Sequence, residues 1–187
     1  MISDLDAARE ALRERQGSGA RYDAPEAPAK ELRLARSGTA YFARKLNELG
    51  DDALYEPSKV PGWTRAHVIC DIAYQARAIS RQAEAAVAGE ALPPMYDDDA
   101  GRIGQIELGA TLPSRALRHL FDHAAVHLNV VWRDIPGPAW DTVATDAEGI
   151  PRRLRATAME RARRLWCGAF QLDSGARLHD LPSELGS

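Results

Sequence analysis

The chain has 187 residues, of which 45% are apolar, and it carries a formal net charge of −3. This length suits one domain, and this composition excludes an intrinsically disordered protein. The nearly balanced charge excludes a strongly basic protein, so we expect no nucleic acid and no membrane as partner. The first residues carry no secretory pattern and no apolar run reaches the roughly 20 residues of a membrane span, so we expect a cytoplasmic protein.

The predicted elements are almost all helical. In chain order, the patterns indicate a short amphipathic segment, two long helices, a short helix, a third long helix, an irregular stretch or small hairpin, a fourth long helix, and a tail that straps the bundle. Their predicted bounds are residues 4–16, 28–49, 61–89, 97–107, 111–135, 139–149, 151–175 and 176–187.

Apolar stripes at helical spacing predict which helix faces are buried. The stripe of the first long helix is Leu32, Ala35, Phe42, Leu46 and Leu49, and that of the second is Ile69, Ile72, Ala76, Ile79 and Ala83. Four such helices predict an all-α four-helix bundle. We expect residues 1–25 to form a loosely attached N-terminal extension and residues 26–187 to form the bundle domain.

Four short motifs point to a known family. GWTR occupies residues 62–65, PMY residues 94–96, GATL residues 109–112 and RARRLWCGAFQLD residues 161–173. In this order they resemble the N-terminal domain of mycothiol-dependent maleylpyruvate isomerase, a member of the DinB-like four-helix superfamily. The resemblance covers about residues 31–175. It implies a DinB-like bundle and the thiol mycothiol as cofactor. We do not expect here the further C-terminal domain of the family's full enzyme.

The sequence departs from this family at the metal ligands. The family binds a divalent metal, usually zinc, through His, Glu and His, and the matching positions here are Asp71, Arg164 and Gly168. A guanidinium group and a glycine cannot coordinate zinc in place of a carboxylate and an imidazole. We therefore expect no zinc and no required cofactor, although the resemblance still implies mycothiol. We predict that Asp71 and Arg164 form an ion pair instead.

The resemblance also implies substrate contacts. It links an arginine at the position of Arg102 to substrate handling, and a guanidinium group suits a carboxylate because it donates two parallel hydrogen bonds. The alternative is a surface arginine near the aspartates at 97–99. His123 matches a family histidine, and at least one of the arginines at 161 and 163 should face inward. The candidate site residues are Asp71, Arg164 and His123 as catalytic groups, and Arg102, Arg161 and Tyr96 as substrate contacts.

The histidines of the third long helix suggest a second possibility. His119, His123 and His127 recur every four residues, so they lie along one helix face. Together with Asp71 or Cys70 they could form a replacement metal site. A stripe of histidines is more often solvated or hydrogen-bonded.

The cysteines and the glycine at the ligand positions also leave alternatives. Cys70 precedes Asp71 and Cys167 precedes Gly168. Either cysteine could supply a built-in thiol nucleophile, activated by a nearby arginine, or could simply pack. Gly168 either opens a cavity or lets Arg164 or Phe170 fill its space.

These patterns narrowly favour an enzyme. We interpret the chain as a maleylpyruvate isomerase-like enzyme that acts on a small carboxylate-bearing substrate by metal-independent isomerisation or rearrangement, in specialised or aromatic-acid metabolism. Asp71 would act as a base or orient one, while Arg102 and Arg164 hold carboxylates. One alternative is a non-catalytic protein that binds a small ligand or a partner. Another is a thiol- and metal-dependent isomerase with a relocated metal site. The apolar tail would permit a homodimer.

Overall fold

The computed structural model describes residues 22–185, so the amphipathic segment predicted over residues 4–16 lies outside the described residues. Within residues 22–185 the backbone forms five α-helices and one two-stranded hairpin. The helices are α1 (Ala29–Asn47), α2 (Arg65–Ala88), α3 (Asp99–Gly109), α4 (Ser114–Asp134) and α5 (Ala156–Gln171), and the strands are β1 (Val143–Thr145) and β2 (Pro151–Arg153). The predicted all-α bundle is confirmed.

The four long helices pack as two pairs. Helix α1 lies along α5, α2 lies along α4, and contacts between α2 and α5 join the pairs. Helices α1 and α4 meet over a shorter stretch, where the rings of Phe42 and Phe121 lie with centroids 4.8 Å apart. The predicted α1 stripe is buried from Leu32 to Leu46, whereas Leu49 lies beyond the helix end and is only partly buried. Each large apolar side chain buried here stabilises the fold by roughly 1.5–3 kcal/mol.

The second helix begins later than predicted, at Arg65 and not at Pro61. Gly62 adopts a φ of 79°, which is outside the helical region. Thr64 then caps the helix, and its backbone N–H donates to Nδ1 of His67 at 3.2 Å. The cap, which satisfies backbone groups that the first turn leaves unpaired, sets the start of the helix. The predicted end at Gly89 is confirmed, with a φ of 70°.

The fourth long helix also begins later than predicted. Residues 151–153 form strand β2, antiparallel to β1, and α5 starts only at Ala156. The turn between the strands is held by Asp146, whose Oδ1 accepts hydrogen bonds from the backbone N–H groups of Glu148 and Ile150. Gly149 completes the turn with a φ of 78°. Residues 139–149 were predicted to be irregular or a small hairpin; they hold the end of a 3₁₀ turn (Gly137–Asp141), strand β1 and the turn, while the second strand of the hairpin lies beyond them.

The tail acts as the predicted strap. It forms two 3₁₀ turns, Leu178–Asp180 and Ser183–Leu185. The hydroxyl of Tyr41 on α1 donates to Oδ2 of Asp180 at 2.6 Å, and the Tyr41 ring stacks on Trp166 of α5. The strap therefore fastens to the α1–α5 pair. None of the helices described is both long and apolar enough to cross a membrane.

Candidate functional site

A cavity of about 390 Å³ opens between α2, α3, α5 and the turn of the hairpin. Its walls carry charged groups of both signs and few apolar ones. The lining includes Asp71, Gln75, Met95, Tyr96, Arg102, Asp146, Ala147, Glu148, Glu160 and Arg164. Four of the six predicted site residues therefore meet in one place, namely Asp71, Arg164, Arg102 and Tyr96.

Asp71 is the centre of the cavity's charged wall. It lies on α2 and is only 3% exposed. Its Oδ1 accepts a hydrogen bond from Nη1 of Arg102 on α3 at 2.8 Å, and its Oδ2 forms an ion pair with Nη2 of Arg164 on α5. The predicted pair of Asp71 and Arg164 is confirmed, and Arg102 is an additional partner. One buried carboxylate thus ties three helices together.

The two arginines keep donors that Asp71 does not use. A guanidinium group carries five N–H donors, and Arg102 directs only Nη1 to Asp71 and Nε to Asp99. The side chains of Arg102 and Arg164 are 25% and 29% exposed. Burial lowers the pKa of Arg164, but its carboxylate partner keeps the charged form favourable. The trio of Asp71, Arg102 and Arg164 carries one net positive charge beside the cavity.

Two further groups on the cavity wall can exchange protons. Tyr96 lies beside Arg102, whose Cζ is 5.7 Å from the ring centroid, and burial raises the pKa of the Tyr96 phenol. Burial also raises the pKa of Glu160, although Nε of Arg152 pairs with its Oε1 at 2.8 Å. Our sequence reasoning missed Glu160. The available signal was its position four residues before Arg164, which places both on one face of α5.

Gly168 has no room for a side chain. A Cβ atom there would lie 2.7 Å from Cδ1 of Ile72 and 3.3 Å from Cε2 of Phe42. Both suggested outcomes for this position are wrong: no cavity opens there, and it is Ile72 and Phe42 that fill the space. Phe170 is elsewhere, with Nζ of Lys59 3.8 Å from its ring centroid.

The residues at the family's metal-ligand positions therefore do not fit a metal ion. Asp71 is occupied by two guanidinium groups, Arg164 is a cation, and a histidine in place of Gly168 would overlap the core. Across residues 22–185, no three or more His, Cys, Asp or Glu side chains are grouped so that they could hold an ion.

The histidine ladder lies away from the cavity. His119 and His123 are exposed on α4, and successive rings of the ladder lie 5.9 and 6.2 Å apart. Nε2 of His127 pairs with Oε1 of Glu84 at 2.8 Å. The structure thus does not bring His123 to the other predicted catalytic groups. Asp71 pairs with Arg102 and Arg164, so it is not available as a metal ligand beside these histidines.

Neither cysteine lines the cavity. Cys70 is fully buried, and this burial raises the pKa of its thiol to about 12, so it stays protonated at neutral pH. Cys167 is exposed on α5. The packing interpretation fits Cys70. Cys167 interacts electrostatically with Arg164 but does not line the cavity, so for Cys167 the nucleophile interpretation stays a prediction.

Arg161 lies behind the cavity rather than on its wall. It is 1% exposed, and its Nη1 donates to the carbonyl oxygen of Ile72 at 2.5 Å and to Oε1 of Gln75 at 3.0 Å. Arg163 is exposed. The expectation that one of these arginines faces inward is confirmed. Gln75 lines the cavity and accepts a hydrogen bond from Arg161, so Arg161 would act on a ligand there only through Gln75.

Comparisons with known proteins agree with the fold. A family model described as the mycothiol maleylpyruvate isomerase N-terminal domain matches residues 35–167. Two crystal structures also match, one of the mycothiol-dependent maleylpyruvate isomerase and one of its variant with a histidine replaced by alanine. Each is 34% identical with a TM-score of 0.81, and the match covers 84% of this chain and 65% of theirs. The chain thus spans less than two thirds of those proteins. A search of curated proteins gave no match.

Proposed function

The chain belongs to the mycothiol maleylpyruvate isomerase N-terminal domain family, and from this premise we propose that it isomerises a small carboxylate without a metal ion. The observation that carries the proposal is the arrangement of Arg102 and Arg164 on either side of Asp71 at the cavity wall. The activity, the substrate and the cytoplasmic setting are all part of the proposal. So is a role in specialised or aromatic-acid metabolism.

The arginine pair accounts for carboxylate binding. Asp71 fixes both guanidinium groups, and each retains N–H donors beyond those that Asp71 accepts. Prearranged donors bind a carboxylate with little loss of side-chain freedom. The cavity lining also includes Asp146 and Glu148 from the turn of the hairpin, and their negative charges repel a second carboxylate. We therefore expect a substrate with a carboxylate at the arginine end and an uncharged group, such as a ketone, at the other.

Glu160 and Tyr96 account for the chemistry. As a carboxylate, Glu160 would take a proton from a carbon next to a carbonyl, while the Tyr96 hydroxyl donates a hydrogen bond to the carbonyl oxygen as it becomes an enolate. Return of the proton from Glu160 to another carbon of the enolate completes the isomerisation, with no net change in atoms or charge. Asp71 has a positioning role here, because protonating it would break one of its two ion pairs.

The proposed isomerisation could use mycothiol as a thiol cofactor but does not require it. The related crystal structures are of a mycothiol-dependent enzyme, and a thiolate needs a nearby positive charge. Arg102 and Arg164 would supply that charge, in competition with the substrate carboxylate. Isomerisation is therefore to be measured both with and without mycothiol.

A second candidate function is ligand binding without catalysis. It is favoured by the occupancy of both Asp71 oxygens and by the absence of either cysteine from the cavity wall. Both candidates predict carboxylate binding, and they differ only in turnover.

The test uses chelator-treated protein and two substrates. Pyruvate, a keto acid with one carboxylate, reports binding by calorimetry and proton transfer by exchange of its methyl hydrogens in D₂O. Maleylpyruvate carries a second carboxylate, so we expect it to bind more weakly than pyruvate; its isomerisation is followed by absorbance, with and without mycothiol. We expect Arg102→Gln to weaken pyruvate binding at least tenfold. We expect Glu160→Gln to keep binding but lower hydrogen exchange at least a hundredfold. The exposed Arg163→Gln is the matched control and should change neither.

The outcomes separate the possibilities. Turnover in chelator that depends on Glu160 supports the isomerase. Binding without exchange or turnover supports the ligand-binding alternative. Turnover that appears only after zinc loading, with about one zinc per chain by elemental analysis, would show that the metal-independent proposal is wrong. Failure to bind pyruvate would overturn both candidates.

A further inference from the structure

A second cavity lies on the side of the bundle where α1 and α4 meet. It measures about 420 Å³, which is within the range of about 300–1,000 Å³ typical of small-molecule sites. Ala40 and Ala43 of α1 face Phe121 and Leu128 of α4 across it. Short alanine side chains on α1 leave space that the packing of the long helices does not fill. We call this cavity the α1–α4 groove.

The groove holds a buried positive charge without a negative partner. Arg161 of α5 lines it and is 1% exposed. Nη1 of Arg161 donates to two neutral oxygens, those of Ile72 and Gln75, while Nη2 has no hydrogen-bond partner among residues 22–185. Burial lowers the pKa of Arg161 to about 9, so the guanidinium group is still charged at neutral pH. Burying an unpaired charge is unfavourable unless something compensates it.

A second unpartnered donor lines the same groove. Trp132 of α4 is 3% exposed, and its Nε1 has no hydrogen-bond partner within the described part of the chain. Buried polar groups are nearly always satisfied, so a lone unpaired donor is uncommon. The groove therefore holds two unpaired N–H donors, and one of them is cationic. Such a pair of donors suits the oxygen atoms of an anion.

The other charged residues of the groove do not neutralise Arg161. Arg36 is held by both oxygens of Asp23 at 2.6 Å each, and its Nε donates to Asn129 at 2.8 Å. Asp122 lines the groove but is exposed to solvent. The buried end of the groove therefore keeps its positive charge.

We propose that the α1–α4 groove binds a monocarboxylate with an uncharged apolar body, whose carboxylate accepts hydrogen bonds from Arg161 and Trp132. The apolar body lies between α1 and α4, against the alanines and Phe121. This site is separate from the cavity around Asp71, and the inference does not rest on the proposed function.

The test uses octanoate and phenylacetate as the aliphatic and aromatic probes, and octan-1-ol as the uncharged control. Binding is followed by the indole N–H signals of ¹⁵N-labelled protein, where the signal that disappears in Trp132→Phe identifies Trp132. We expect at least one of the acids to shift the Trp132 signal, and octan-1-ol to bind at least tenfold more weakly than octanoate. The stronger of the two acids identifies the class of apolar body.

Three variants separate this site from others. Arg161→Met should weaken binding of the acid at least tenfold, and Trp132→Phe, in which binding is measured by calorimetry because its own indole signal is gone, several-fold. Arg102→Gln, which alters the first cavity but no residue of the groove, should leave binding unchanged. If Arg161→Met does not fold, Trp132→Phe and the octan-1-ol comparison still decide. Equal binding of octan-1-ol, loss of binding in Arg102→Gln, or no shift of the Trp132 signal with either acid would overturn the inference.

Discussion

Replacing Asp71 by asparagine tests whether the charged wall of the first cavity is a stabilising arrangement. The substitution Asp71→Asn keeps the shape of the side chain but removes its charge, so that Arg102 and Arg164 face each other with no anion between them. Breaking a buried ion pair by removing one partner costs about 3–5 kcal/mol. The two arginine side chains are 25% and 29% exposed, so they can partly turn to solvent, and we expect a loss of about 3 kcal/mol at the low end of that range.

The assay is urea unfolding at neutral pH, with the slope of the transition checked to be unchanged. Asp99→Asn is the matched control. Asp99 also pairs with Arg102, at 3.3 Å, but its side chain is 84% exposed, so we expect less than about 1 kcal/mol. A second variant, Asp71→Leu combined with Arg164→Met, removes the pair of Asp71 and Arg164 while Arg102 keeps its contact with Asp99, and it should recover much of the loss. A loss from Asp71→Asn no larger than that from Asp99→Asn would refute the reasoning.

Three other predictions concern packing, pH and thiol reactivity. Gly168→Ala should lower the free energy of unfolding by about 1 kcal/mol despite the better helix propensity of alanine, because its Cβ overlaps Ile72; adding Ile72→Val should restore stability in the same urea assay. Burial and the hydrogen bond to Asp180 raise the pKa of Tyr41 from 10.0 to about 12, so its contribution to stability is present below pH 10 and is lost as pH rises towards 12. Thermal melts should show a larger loss in the wild type than in Tyr41→Phe, which keeps the losses due to the raised pKa values of Cys70 and Tyr96; equal losses would contradict the prediction. The exposed Cys167 should react with a thiol reagent in the native protein, and the buried second cysteine only after unfolding; two fast thiols per chain, counted by absorbance, would contradict the burial.

The helices could be predicted because their signals are local. The stripe from Leu32 to Leu46 repeats at helical spacing, and the structure buries it as one face of α1. The starts of α2 and α5 could not be placed, since they depend on the cap formed by Thr64 and His67 and on a hairpin that pairs β1 with β2. A proline inside the first turn suits a helix, but the positive φ of Gly62 overrides it.

The candidate site could be predicted only in part. The pairing of Asp71 with Arg164 followed from opposite charges at two positions that the family resemblance brings together. Arg102 as the second partner of Asp71 depends on how α3 docks on α2, which no sequence pattern reports. His123 was predicted in the site because its residue type matches the family, but it lies on the exposed face of α4. The match in residue type did not indicate which face of the helix is exposed.

The close approach of α2 and α5 at Gly168 restricts how this sequence can change. A histidine there would first need Ile72 to become smaller, since even a Cβ comes within 2.7 Å of it. A glutamate in place of Arg164 would put a second carboxylate beside Asp71, and Arg102 alone would remain to balance the two negative charges. Each step towards a metal site is thus unfavourable without the others. Surface positions of this chain can change freely, but no single substitution at Asp71, Arg164 or Gly168 would create a metal site.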